Sequence, residues 1–130
     1  MREIKFRGKR TDNGKWVYGD YGRLSVRLKD GTEKICQYIG ANLAFREVNP
    51  ETVGQYTERK DNNEAEVYAE DIVKVQHGDY TFIIGRVSFE EGQWMVIESD
   101  GEKWDLYSVF FESIEVVGNM FDNPELLEGK

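Results

Sequence analysis

Apolar and polar residues alternate along most of this chain, with tight turns between the alternating runs. Ile4 and Phe6 alternate with Glu3, Lys5 and Arg7, which predicts a strand with one apolar and one wet face. Asn13-Gly14 precedes Trp16-Val17-Tyr18, a hairpin signal, because glycine accepts the positive φ that tight turns demand. Leu24, Val26 and Leu28 then alternate up to Asp30-Gly31. Ile35 with Gln37 and Ile39, or Cys36 with Tyr38, continues a return strand. The opening segment therefore reads as a meander of strands.

The middle of the chain is irregular. Asn49-Pro50-Glu51 predicts a turn or one helical turn, since proline suits the first helical position and asparagine its cap. "KDNNE" reads as a polar loop and marks the junction between two lobes. Strands resume at "DIVKVQ", where Val73 and Val75 form the expected core face opposite Ile72 and Lys74. They continue through "TFIIGRVSFEEGQWMVIES", a "SDGE" turn and "SIEVVGNM". "DLYSVFF" is ambiguous, because Leu106, Val109 and Phe110 have helical spacing while the aromatics also suit a strand. "DNPELLEGK" predicts a short C-terminal helix or a docking tail, with Asn123 as cap. The chain is thus mainly β, with short helices. Residues 1–64 form an N-terminal β-rich lobe with an irregular linker, and residues 65–130 form a C-terminal lobe and tail.

Composition adds little to this and charge adds more. Of the 130 residues, 39% are hydrophobic and 13% aromatic, enough for a folded core. No apolar run approaches the roughly 20 residues needed to cross a bilayer, so no membrane partner is expected. The charged start "MREIKFRGKR" does not resemble a signal peptide, and a cytoplasmic protein is the simple reading. The net charge of −8 conceals a gradient. Through Arg46 there are 11 Lys and Arg against 5 Asp and Glu, a net of +6; from Glu47 onward there are 6 against 20, a net of −14. Such asymmetry favours pairing within the molecule or between copies, and the acidic total weighs against nucleic acid.

Candidate chemistry is sparse. His77 is the sole histidine and reads as a hairpin-tip residue beside Gly78-Asp79. Cys36 is the sole cysteine, which excludes an internal disulfide and reads as a small buried hydrophobe. A Cys36–His77 dyad would be the one available thiol mechanism. "DNNEAEVYAEDI" lacks the glycine and the final carboxylate of a calcium loop, leaving a solvated loop. Glu70-Asp71, Glu90-Glu91, and Glu98 with Asp100 and Glu102 pair carboxylates mainly at predicted turns, where acids are simply soluble. No catalytic residue, metal or cofactor is expected.

One surface stands out. Arg2, Arg7, Lys9, Arg10, Lys15, Arg23, Arg27, Lys29 and Lys34 are interleaved with Phe6, Trp16, Tyr18 and Tyr21. Arg7, Lys15, Trp16, Tyr18, Arg23 and Arg27 form the candidate binding patch. Basic residues hold phosphates and aromatics stack on bases, but an exposed Trp16 and Tyr18 suit an interface with another copy equally well.

Three ordered stretches resemble the YopX family of phage and prophage proteins from Gram-positive bacteria. They are "REIKFR" at Arg2–Arg7, "PETVGQYT" at Pro50–Thr57 continuing through Lys60-Asp61, Val67-Tyr68 and Glu70-Asp71-Ile72-Val73, and "EVVGNMFDNPELL" at Glu115–Leu127. The resemblance spans essentially the whole chain. Departures are local and bear on turn geometry: Glu58 stands where a glycine is usual, Glu64 at the turn glycine, and Glu70, after Ala69, where the family has Gly before Asp. The resemblance implies a small barrel similar to an SH3 barrel from about Val67 to Val117, packed with the N-terminal meander. It carries over no catalytic residue. The leading reading is a phage or prophage accessory protein, non-enzymatic, that binds protein and forms a homo-oligomer, with a host or phage protein as a further partner. The alternative is a nucleic-acid-binding protein that uses the basic–aromatic N-terminal sheet.

Overall fold

The computed structural model describes residues 4–42, 44–78, 81–108 and 110–128. Arg2, Glu3, Asp79 and Val109 lie outside the described residues. The chain divides into two compact units, Met1–Tyr56 and Thr57–Lys130. It is mainly β, as the alternation predicts.

Unit one contains β1 (Phe6–Lys9), β2 (Trp16–Arg27), β3 (Glu33–Ala41), β4 (Ala44–Val48), a 3-10 turn at Pro50–Thr52 and the start of β5 (Gly54–Lys60). The strands are antiparallel in the order β4-β3-β2-β1-β5. Arg10 bridges back to Val48, with Thr11 N–H donating to Glu47 C=O at 3.0 Å and Asn49 N–H to Lys9 C=O at 2.9 Å. The sheet therefore curls until its first and fourth strands meet at one end. Glycine permits the tightest part of this curl. A Cβ on Gly8 would lie 3.1 Å from the side chains of both Ile39 and Val48, and one on Gly40 would run into the Ala44 carbonyl. Ile39 and Val48 are fully buried in the resulting core.

Strand 1 begins at Phe6, later than the alternation implies, and Ile4 is exposed. The expected wet face of β1 is also corrected: Arg7 is only 6% exposed, because it lies against the Trp16 ring.

Unit two continues β5 and adds β6 (Glu66–Tyr68), β7 (Asp71–His77), β8 (Phe82–Glu90), β9 (Gln93–Glu98), β10 (Lys103–Asp105), β11 (Phe111–Asn119) and a 3-10 turn at Pro124–Leu127. Its antiparallel sheet runs β10-β9-β8-β7-β11. Val67, Val73, Val75, Ile83, Val87, Val96, Leu106, Phe111 and Ile114 form the core, with Trp94, Trp104 and Val116 packed on it. Val73 and Val75 thus occupy the predicted core face. Ile72, expected on the opposite face with Lys74, is equally buried.

The closed barrel expected here is corrected to an open sheet, with β10 and β11 as its edges. Both edges are blunted without closure. β10 is three residues long, and a short edge offers little to pair with. The β11 edge is occupied by the Asp61-Asn62 turn. Asn62 N–H donates to Ile114 C=O at 3.0 Å, Ile114 N–H donates to Asn62 Oδ1 at 2.6 Å, and Val116 N–H donates to Asp61 Oδ2 at 2.9 Å. The loop read as solvated therefore contains a buried carboxylate, 5% exposed, whose Oδ1 also accepts the N–H groups of Asn63 and Ala65.

Three turns share one hydrogen-bond pattern. Leu28 N–H donates to Thr32 C=O and Gly31 N–H to Leu28 C=O; Glu98–Gly101–Glu102 and Asp61–Glu64–Ala65 repeat both bonds. The fourth residue is left-handed each time, with φ of 90° at Gly31, 95° at Gly101 and 68° at Glu64. Glu58 and Glu70 are left-handed as well, at 72° and 70°. The turn geometry that glycine adopts freely is thus kept with glutamate in place.

Candidate functional surface

The register of β1, β2 and β3 sorts the predicted patch. Arg7 faces Tyr18 and Lys9 faces Trp16 across the β1–β2 pair, so these four share one face of the sheet. Gly8 and Val17 lie on the other face, with Phe6 and Tyr21, whose rings are 5.5 Å apart. Alternation then places Arg23 and Arg27 on the Phe6 face. The six candidates do not converge. Arg7, Trp16 and Tyr18 come together with Lys15 beside them, while Arg23 and Arg27 face the opposite way.

The cations near Trp16 are stacked more than displayed. The Arg7 guanidinium carbon is 4.5 Å from the Trp16 ring centroid and Lys9 Nζ is 5.5 Å from it. A guanidinium lying on an aromatic face is held by the ring's negative quadrupole, and this lets Arg7 be buried. Arg27 pairs with Glu33 at 3.1 Å. The remaining cations of this region, Arg23, Lys29 and Lys34, project from an arm.

That arm is the distal β2–β3 ribbon. β1 accompanies β2 only to Gly19, and β4 accompanies β3 only from Gln37 onward. Between them Leu24–Arg27 and Glu33–Cys36 pair with each other alone. A two-stranded ribbon has no sheet behind it to cover its apolar residues. Leu24 is 61% exposed, Ile35 55% and Leu28 42%, so the alternation that predicts a buried strand face ends in solvent. At the base of the arm, Gly22, Arg23, Leu24, Tyr38 and Phe45 line a cleft of about 460 Å³. Desolvation, followed by the nearby Cys36 and Glu47, raises the Tyr38 phenol above its ordinary value. Sequence reasoning did not single out Leu24, Ile35 or Phe45 as surface residues. The signal available was length: β2 and β3 have 12 and 9 residues, while the strands flanking this pair, β1 and β4, have 4 and 5.

The candidate chemical groups are all engaged structurally. Cys36 stands opposite Leu24 in the arm and is buried. His77 ends β7 and adjoins the turn as expected, but it is no isolated tip residue. Its ring lies 4.6 Å from Trp104, 6.2 Å from Phe111 and 6.4 Å from Phe110. Asp71 is 1% exposed and accepts the Tyr68 N–H at 2.7 Å. Glu98 accepts the Trp104 Nε1–H at 2.7 Å, and Glu90 pairs with Lys103 at 2.8 Å. The hydrogen bond from Lys103 holds the Glu90 carboxyl below its ordinary value, and Glu90 in turn raises Lys103. Among the described residues, no group of three or more His, Cys, Asp and Glu is arranged to hold a metal ion, and no helix is long and apolar enough to cross a membrane.

Comparison with known proteins agrees with the motifs. The sequence profile described as YopX protein matches residues 5–128. The crystal structure of protein YopX from Bacillus subtilis is similar at a TM-score of 0.58 and 22% identity, covering 95% of this chain and 98% of that one. No curated protein matches.

Proposed function

Because the chain belongs to the YopX family, we propose that it is a phage or prophage accessory protein that acts in the cytoplasm of its host by binding protein, without catalysis, and self-associates through the β2–β3 arm. The observation that carries this reading is the exposure of Leu24, Ile35 and Leu28 on a ribbon with no strand behind it. Leu24 lies on one face of the ribbon and Ile35 on the other, and large apolar side chains left in water on an unbacked ribbon favour a partner that covers them. Light scattering tests the reading. The wild-type chain should run above its monomer mass of 15.1 kDa, and Leu24→Asp should return it to that mass. A wild-type chain that stays monomeric at every concentration and salt overturns it.

A second reading rests on the same arm. Arg23, Lys29 and Lys34 have no acidic partner within salt-bridge distance among the described residues, and such cations could follow a phosphate backbone. Filter binding with single-stranded DNA and RNA should then show retention that falls steeply with salt; no retention at low salt removes this reading.

A further inference from the structure

The cleft at the base of the arm has a matching projection on the same chain. Phe110 is 70% exposed, the highest value among the exposed large hydrophobic residues, and Tyr107 beside it is 48% exposed. Hydrogen bonds engage the residues around them. Tyr107 Oη donates to Thr57 C=O, Arg59 Nη1 donates to Leu106 C=O at 2.8 Å, and Phe110 N–H donates to Ser108 Oγ at 3.1 Å. Acidic residues, Asp105 and Glu112, flank Phe110, and both are exposed.

The cleft has the opposite character. It is lined by Gly22, Arg23, Leu24, Tyr38 and Phe45. A Cβ on Gly22 would meet nothing within 4 Å, so the space beside it is open. Phe110 and Leu24 are each exposed.

Resting on the self-association reading above, we infer that Phe110 of one copy inserts into the Gly22–Leu24–Tyr38–Phe45 cleft of a second copy, with the basic arm of the receiving copy drawn to the acidic unit that carries Phe110.

Charge selects this pairing over arm against arm. Residues 23–36 hold 4 Lys and Arg against 2 Asp and Glu, so two arms face to face would bring like charge together. Unit two holds 6 Lys and Arg against 18 Asp and Glu, a net of −12, so it attracts the arm of another copy. The contact joins two different patches. It therefore closes either as a two-fold pair that makes it twice or as a ring.

Complementation tests this. Gly22→Trp places a large ring in the cleft and keeps the knob; Phe110→Asp removes the knob and keeps the cleft. Both changes are at open positions, and unchanged far-UV circular dichroism and melting confirm folding. Each variant alone should be monomeric by light scattering, and mixing the two should restore a 1:1 pair weakened by added salt. If Phe110→Asp still associates, the knob assignment is overturned and the self-association reading stands. If each variant is monomeric and the mixture stays monomeric, the pairing of this knob with this cleft is overturned. A monomeric wild type overturns both, and single-stranded DNA retained by that monomer favours the nucleic-acid reading.

Discussion

Replacing Glu64 with glycine should stabilise this protein. Glu64 occupies the position that Gly31 and Gly101 fill in two turns with the same hydrogen bonds, and its φ of 68° is left-handed. An L-residue in that conformation crowds its Cβ against the carbonyl, at about 1–2 kcal/mol relative to glycine. Glycine returns about 0.4–1 kcal/mol of this through its greater freedom in the unfolded chain. The net gain for Glu64→Gly is therefore about 1 kcal/mol. For a chain of this length that raises the melting temperature by about 3 °C. The side chain is exposed, so the substitution also removes a negative charge from an acidic unit. Glu64→Ala controls for that, since it removes the same charge and keeps the Cβ. Urea denaturation of the three proteins should place Glu64→Gly above both others by about 1 kcal/mol. Equal midpoints for the glycine and alanine variants would refute the backbone argument.

Other consequences follow from the packing. Asp61→Ala should lower stability by about 3 kcal/mol in urea, because three backbone N–H groups lose a buried carboxylate acceptor; a loss under about 1 kcal/mol would mean that water replaces it. Gly40→Ala should prevent folding of unit one, read as loss of dispersed amide signals from residues 4–56, since the new methyl meets the Ala44 carbonyl. Glu90 and Lys103 bear on pH. The folded-state value of Glu90 is depressed, so its contribution is present above the ordinary carboxylate value and lost as pH falls through the depressed one. Glu90→Gln should therefore melt below wild type at neutral pH, by a small margin because the pair is exposed, and the two curves should converge in acid.

Much of the fold is legible in the residues themselves. Asn13-Gly14, Asp30-Gly31 and Asp100-Gly101 all turn where expected, because each depends on glycine's own φ and a neighbouring side-chain acceptor. Pro50–Thr52 and Pro124–Leu127 form the expected short turns, as 3-10 helices that begin at proline. Asn49 and Asn123 precede them without a side-chain capping bond, so proline rather than the predicted caps sets these starts. The candidate patch was less legible. Periodicity states that a strand has two faces without stating which neighbour covers each. Arg7 becomes buried and Arg23 turns away through the β1–β2–β3 register. The role of Asp61 depends on Val116, 55 positions along the chain, and no local pattern carries that.

By itself, then, the chain determined the strands at either end, its glycine turns and its gradient of charge, since each is written in neighbouring residues. β4, β5 and β6 formed in the stretch read as irregular, through pairing with other strands. The tertiary structure decided which apolar residues stay in water. Leu24 and Ile35 obey the alternation of a buried strand, yet they are exposed because β1 and β4 end before reaching them. Burial belongs to the relation between strands, and its range exceeds that of any local signal.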